Sequence, residues 1–314
     1  MEPSQPTPQT RRLGESGLSN SGQRDWRPLT IGIALGGGGN RGFAHIGVLK
    51  VLEAAGIQLD VVSGTSAGAA VGALYAGGYS ALDIEQLSLP LQRDSMLTWV
   101  LPSMGFASGE PMERFINERL SGRSIEALPL RFGAVATDLQ TGEPRIFQSG
   151  DVGSAVRASC AVPGLFQPVR MDERQYVDGG LVQPIPVSAA HLLGASFVIA
   201  VDVSSKPQHN GVDSMAHVVM QTYDIMGEAL NRYERAKANV VIQPDIKDIS
   251  YTDLDDKLKA IRKGEQAAQH MLPTLLAELD HAHEHLAALE KRSARRRLLP
   301  ESIRRKLNHL GLGL

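Results

Sequence analysis

Cysteine is nearly absent from this chain of 314 residues, with Cys160 standing alone. One thiol excludes an intramolecular disulfide framework and a cysteine-rich zinc site, and nothing demands an oxidising compartment. Neither sign of charge is in excess. The 32 Lys and Arg against 34 Asp and Glu leave a formal net charge of −2. A dedicated phosphate binder carries a clear positive excess, so nucleic acid is excluded as the main partner. Apolar runs near the roughly 18 residues of a membrane span are missing too. The stretch 67–78 is apolar, but its small residues and glycines suit a tightly packed helix. No repeat recurs at a 20–50-residue period.

The first 28 residues are rich in Pro, Ser, Gln, Gly and Arg. They lack the apolar core of a signal peptide, and Arg11-Arg12 lacks the hydrophobic segment that follows a twin-arginine signal. A disordered leader is expected over 1–28. The remaining composition, 42% hydrophobic and 21% charged overall, is that of a soluble globular protein. The expected location is cytoplasmic, with transient peripheral contact to a membrane.

From Thr30 onward, short β-rich runs alternate with helical segments. Strands are predicted at 30–35, 60–63, 132–136, 175–177, 197–203 and 240–242. Helices are predicted at 43–55, 111–120, 187–193, 215–235 and 254–289, the last broken or kinked at Pro273. This alternation predicts an α/β fold with a mainly parallel central sheet flanked by helices on both faces. Ligands of such sheets bind at the carboxyl ends of strands. The expected division is a leader (1–28), a catalytic domain (29–248) and a C-terminal helical extension with a basic tail (249–314). Residues 286–314 carry eight Lys or Arg against two Glu.

Two glycine turns fall at strand ends. Gly36-Gly37-Gly38-Gly39-Asn40-Arg41-Gly42 contains G-x-G-x-x-G, which turns backbone N–H groups outward at a helix start and makes a site for negative charge. A dinucleotide fold uses such a turn for pyrophosphate, with an acidic residue about 20 residues on, and Asp60 leaves that reading open. Gly64-Thr65-Ser66-Ala67-Gly68 is G-x-S-x-G between a strand and a helix, the elbow that exposes a nucleophilic serine. A serine N-cap is the plainer reading of Ser66, but it leaves the opposing anion site unexplained. A serine nucleophile needs a base. His45 reads as a packed helix residue, His191 lies inside a predicted helix, and His209 sits in a polar loop. Asp178, in Val177-Asp178-Gly179-Gly180, is the better candidate, although Asp-Gly-Gly also reads as a tight turn.

Together these motifs resemble the patatin-like phospholipase family, which includes the catalytic domain of neuropathy target esterase. The resemblance runs from about Thr30 to Val203, with the glycine turn, G-x-S-x-G and D-G-G in order. Ala136-Thr137-Asp138 with Gly142, and the block from Arg157 to Gly164, accompany them. The resemblance implies a Ser66–Asp178 dyad without histidine, hydrolysing lipid acyl esters, phospholipid or lysophospholipid, through an acyl-serine. It implies an oxyanion hole from Gly37, Gly38 and Gly39, with Arg41, Gly64, Gly68, Gly179 and Gly180 in support. No metal or organic cofactor is required. Acyl transfer by the same dyad, a regulatory or binding protein of low turnover, a histidine-based triad, and nucleotide binding at the glycine turn remain as rivals.

His281, His283 and His285 share a helix, with 281 and 285 on one face, and a solvated face is the expected role over a metal site. Cys160 reads as a small packed side chain. The apolar segment 96–106, opening on Met96 and closing on Phe106, is expected to pack on the core, to cover an acyl pocket or to touch a membrane. Ile303, Leu307 and Leu310 form an apolar helical face amid Arg304, Arg305 and Lys306, which suits anionic lipid or a docking partner. Head-group preference, acyl length and oligomeric state are not legible.

Overall fold

A computed structural model of the protein describes residues 29–91, 98–99, 107–204, 215–249 and 256–297. The expected leader, the body of the 96–106 segment, His209 and the tail beyond 297 lie outside the described residues.

In chain order the elements are β1 (Ile31–Leu35), α1 (Ala44–Ala54), β2 (Val61–Thr65), α2 (Ala67–Ala76), α3 (Ala81–Ser88), β3 (Thr98–Trp99), β4 (Ala107–Ser108), α4 (Glu110–Arg119), β5 (Arg131–Asp138) and β6 (Pro144–Phe147). They continue with α5 (Val152–Ser159), β7 (Val169–Met171), β8 (Arg174–Asp178), α6 (Val187–Leu192), β9 (Phe197–Val201), α7 (Met215–Arg235), β10 (Val240–Ile242) and α8 (Lys257–Arg297). The main sheet has eight strands in the order β10-β9-β1-β2-β5-β8-β7, with β6 also on β5. Its pairings from β10 through β5 are parallel, and those of β6, β7 and β8 are antiparallel. The β3–β4 pair is a separate antiparallel ribbon.

Strand residues alternate between two cores, as the period of two requires. In β9, Phe197, Ile199 and Val201 join the large core, while Val198 and Ala200 join the smaller one under α6. With both faces covered, β1 and β9 are buried along their whole length, which is why they read as continuous apolar runs rather than alternating ones. Helix α8 continues through Pro273 and is not broken there. Its Ala260, Ile261, Ala268, Leu275 and Leu279 are buried in the same core as α1. Residues on both sides of position 248 thus share one hydrophobic core, which α8 joins as far as Leu279.

Candidate active site

At the end of β2 the chain turns sharply into α2, and Ser66 adopts φ 54°, ψ −124°. A positive φ of this kind costs a non-glycine residue about 1–3 kcal/mol unless its surroundings hold it. Ser66 N–H donates to Ser159 Oγ at 2.9 Å, and the Ser159 hydroxyl donates to the Val135 carbonyl at 2.5 Å. Gly68 lets α2 start against β1, because a Cβ there would lie 2.1 Å from the Leu35 carbonyl oxygen. The elbow is held from two sides.

Strand β5 brings the aspartate to the same place. One edge of β5 carries β6 over Ala134–Thr137. The other edge is shared: β2 runs parallel up to Thr65 opposite Val135, and β8 runs antiparallel down to Asp178 opposite Ala136. The two carboxyl ends meet head to head on adjacent residues of one strand, so the residue after Thr65 and the last residue of β8 come together. Thr137 Oγ1 donates to the Asp178 carbonyl at 2.8 Å and fixes that end.

Asp178 is fully buried. Its Oδ1 accepts the Gly180 N–H and the Tyr223 hydroxyl, both at 2.7 Å. Its Oδ2 is buried with no formed hydrogen bond. Burial pushes the carboxyl above its ordinary range, and the nearby Ser66 hydroxyl with the hydrogen bonds from Tyr223 and Gly180 pull it back. The Ser66 side chain is thus near enough to influence the carboxylate, while Oδ2 makes no hydrogen bond in this arrangement.

The first glycine turn follows β1, with Gly39–Phe43 forming a 3-10 turn. Gly38 and Gly39 N–H groups donate no hydrogen bond among the described residues. The Gly37 N–H, by contrast, donates to the Pro184 carbonyl at 2.8 Å in this arrangement. Arg41 is buried and its Nε donates to the Ile249 carbonyl at 3.2 Å, tying the turn to the segment before α8. His45 lies beneath the turn, fully buried, its Nε2 2.7 Å from the Gly36 carbonyl oxygen. Burial lowers its pKa to about 4, so the ring is neutral and Nε2 is the donor to that carbonyl.

Ser66 lines two cavities. The larger, about 240 Å³, is apolar, with walls that include Ile46, Leu74, Leu87, Met112, Phe115 and Phe166. The smaller, about 30 Å³, lies between the glycine turn and α7 and is bordered by Gly38, Arg41, Gly180, Tyr223 and Asn231. Helix α7 is anchored by Arg235 on buried Asp202 at 2.7 Å, and by Glu234, which accepts from Ser188 N–H at 2.8 Å. No histidine lines either cavity among the described residues. His191 Nδ1 and Nε2 instead face the carbonyls of Ala195 and Lys237, at 3.0 and 3.1 Å. Cys160 is buried beside Ser66 and its thiol is pushed far up, chiefly by burial and then by the Asp178 charge. Asp60 accepts Ile31 N–H at 2.8 Å, at the opposite end of β1 from the glycine turn, which removes the dinucleotide pairing. Among the described residues, no three His, Cys, Asp or Glu side chains assemble as a metal site.

Sequence reasoning missed Tyr223 and Asn231 and gave Ser159 no role. Only Ser159 carried a signal, its place in the block from Arg157 to Gly164.

A serine at a strand-to-helix elbow, with a buried aspartate beside it and an apolar cavity in front, defines the class of this α/β protein. The chain belongs to the patatin-like phospholipase family, whose model matches residues 33–191. It is similar to an uncharacterized NTE family protein of Mycobacterium tuberculosis, 29% identical over 277 residues that cover 79% of this chain and 48% of that protein. Human patatin-like phospholipase domain-containing protein 6 is 36% identical over 187 residues, covering 57% of this chain and 14% of that protein. The chain spans about half the length of the mycobacterial relative it matches. VipD from Legionella pneumophila aligns with a TM-score of 0.47 and 14% identity, over 78% of this chain and 67% of that chain. Among the described residues no helix is long and apolar enough to cross a membrane.

Proposed function

We propose that this chain is a serine acyl hydrolase of lipid acyl esters, phospholipid or lysophospholipid. Ser66 Oγ attacks the acyl carbonyl carbon while its proton passes to Asp178 Oδ2. The negative oxygen of the tetrahedral intermediate takes hydrogen bonds from the N–H groups of Gly38 and Gly39. On collapse the carbon–alkoxy bond breaks and Asp178 returns the proton to the leaving alcohol. Water then attacks acyl-Ser66, again losing its proton to Asp178, and the fatty acid leaves as Ser66 is reprotonated. A raised pKa makes the carboxylate a better base than an exposed one. Each oxyanion donor of this kind contributes about 10²–10³ in rate.

The observation that carries this reading is the position of Ser66 in the wall of an apolar cavity of about 240 Å³, beside an aspartate with one buried unpartnered oxygen. A hydrocarbon chain is the ligand such walls favour. The word phospholipase in the names of the family and of its human relative supports a lipid substrate. The test is fatty-acid release from phospholipids, lysophospholipids and short acyl esters by wild type, Ser66→Ala and Asp178→Asn, each checked for folding. Near-complete loss in both variants is expected. A wild type no better than Ser66→Ala on every ester overturns the reading.

A further inference from the structure

The tetrahedral carbon on Ser66 carries two groups that must extend in different directions, the acyl chain that stays on it and the alkoxy group that leaves. Only the larger cavity has the room and the apolar walls for a chain. The smaller one opens from the same serine but differs in chemistry, with polar side chains and glycine backbone at its border.

Asn231 is the informative residue there. It is 0% exposed, yet neither its amide nitrogen nor its amide oxygen has a hydrogen-bond partner. Native proteins seldom leave buried polar atoms unpaired, since each costs about 1–3 kcal/mol. A side chain with one donor and one acceptor open toward a cavity calls for a ligand that also donates and accepts, which a hydroxyl group does. The charges bordering the cavity are one of each sign, Arg41 and Asp224, and each already has a partner. That balance favours an uncharged polar group over an ionic one. At about 30 Å³ the space suits a few heavy atoms. Along α7, Tyr223, Gly227 and Asn231 recur at four-residue spacing on one face. Gly227 leaves the cleft its width, for a Cβ there would approach only Pro184 Cγ, at 3.7 Å.

We infer that this compartment receives the alcohol half of the ester, a glyceryl group with free hydroxyls, and that the Asn231 amide is its hydrogen-bonding anchor. The inference rests on the acyl-hydrolase reading and adds the orientation of the substrate: chain toward Phe115 and Phe166, glyceryl group toward α7.

The experiment compares kcat/KM for three substrates with one acyl chain: the 1-monoacylglycerol, the lysophosphatidylcholine and the ethyl ester. Wild type is expected to prefer the glyceryl esters. Asn231→Leu, similar in volume without either polar atom, is expected to lower the glyceryl-to-ethyl ratio about tenfold, the scale of one lost hydrogen bond. Gly227→Ala raises helix propensity and places its Cβ at ordinary contact distance from Pro184, and it should lower the same ratio by narrowing the cleft. Whichever glyceryl substrate loses more to Asn231→Leu identifies whether the hydroxyls belong to a neutral glyceride or a phospholipid. An unchanged ratio in both variants overturns the inference. So does an equal fall in kcat on all three esters with acyl-enzyme accumulating and kcat/KM unchanged, which assigns the compartment to the attacking water. If no ester is cleaved faster by wild type than by Ser66→Ala, the hydrolase reading has failed and this one falls with it. If esters are cleaved and only the ratio stays fixed, this one fails alone.

Discussion

The Tyr223 hydroxyl donates a 2.7 Å hydrogen bond to Oδ1 of Asp178, reaching from α7 to the end of β8. It favours the ionised carboxylate, against burial, which favours the protonated form. Tyr223→Phe removes that donor and keeps the ring. The Asp178 pKa then rises further, and a larger fraction of the base is protonated at low pH. The acid limb of the kcat/KM profile should move to higher pH, with a deficit that is large below the limb and shrinks above it. A merely structural role lowers activity by one factor at every pH. A full pH profile separates the two.

Gly180 sits where Tyr223 reaches in. A Cβ on Gly180 would lie 2.0 Å from the tyrosine oxygen, 2.8 Å from its Cζ and 3.1 Å from Asp178 Oδ1. Gly180→Ala should displace Tyr223 and reproduce the shifted acid limb. Removing the clashing oxygen relieves much of the conflict, so Gly180→Ala should cost less activity in the Tyr223→Phe background than in wild type. A double-mutant cycle measures that coupling, and strict additivity would refute the contact.

The motifs that name the site were legible because each is local: a strand, a glycine turn and a helix within a dozen residues. Helix α7 was read as Met215–Arg235 and β10 as Val240–Ile242, the bounds observed, because their periods of 3.6 and their β-branched run are undisturbed. What brings Ser66 to Asp178 was not legible. It depends on β2 and β8 sharing one edge of β5, a pairing between segments far apart in sequence. Tyr223 lies 45 residues from Asp178 and Ser159 lies 93 from Ser66, and neither pattern nor spacing marks such partners. Four glycines in a row hid a distinction as well, since only tertiary structure shows that Gly37 spends its N–H on Pro184. Helix α3 escaped notice although Ser80 and Asp83 form a capping box that the sequence displays.

Ser159 holds two backbone groups at once, the Ser66 N–H and the Val135 carbonyl. Ser159→Ala takes a hydrogen bond from each in a buried place, at about 1–3 kcal/mol. The elbow then loses what opposes its positive φ, and Ser66 Oγ drifts from the carboxylate. A fall in kcat of about tenfold or more is expected, since 1.4 kcal/mol of barrier is a factor of ten. Ser159→Thr keeps the hydroxyl and should retain more of kcat than alanine. Urea unfolding and kcat measured together check both halves, and equal kcat in Ser159→Ala and wild type would remove Ser159 from the support of the elbow.

His45 sets a limit on the acid side. In the folded state its pKa falls from 6.5 to about 4, because burial beneath the glycine turn disfavours the charged ring. The unfolded chain therefore takes up this proton first. Stability contributed by the neutral ring is complete above pH 6.5 and declines as pH falls toward 4, because the unfolded state binds more protons across that window. The depression corresponds to about 3 kcal/mol lost from neutral pH to pH 4. His45→Gln keeps an amide N–H for the Gly36 carbonyl and does not titrate. It should be less stable than wild type at pH 7.5, and its further loss by pH 4 should be smaller by about the same 3 kcal/mol. Urea melts of both proteins at several pH values in this range give the difference directly. Parallel curves would mean that His45 is not held neutral, and that the turn carrying Gly38 and Gly39 rests on something else.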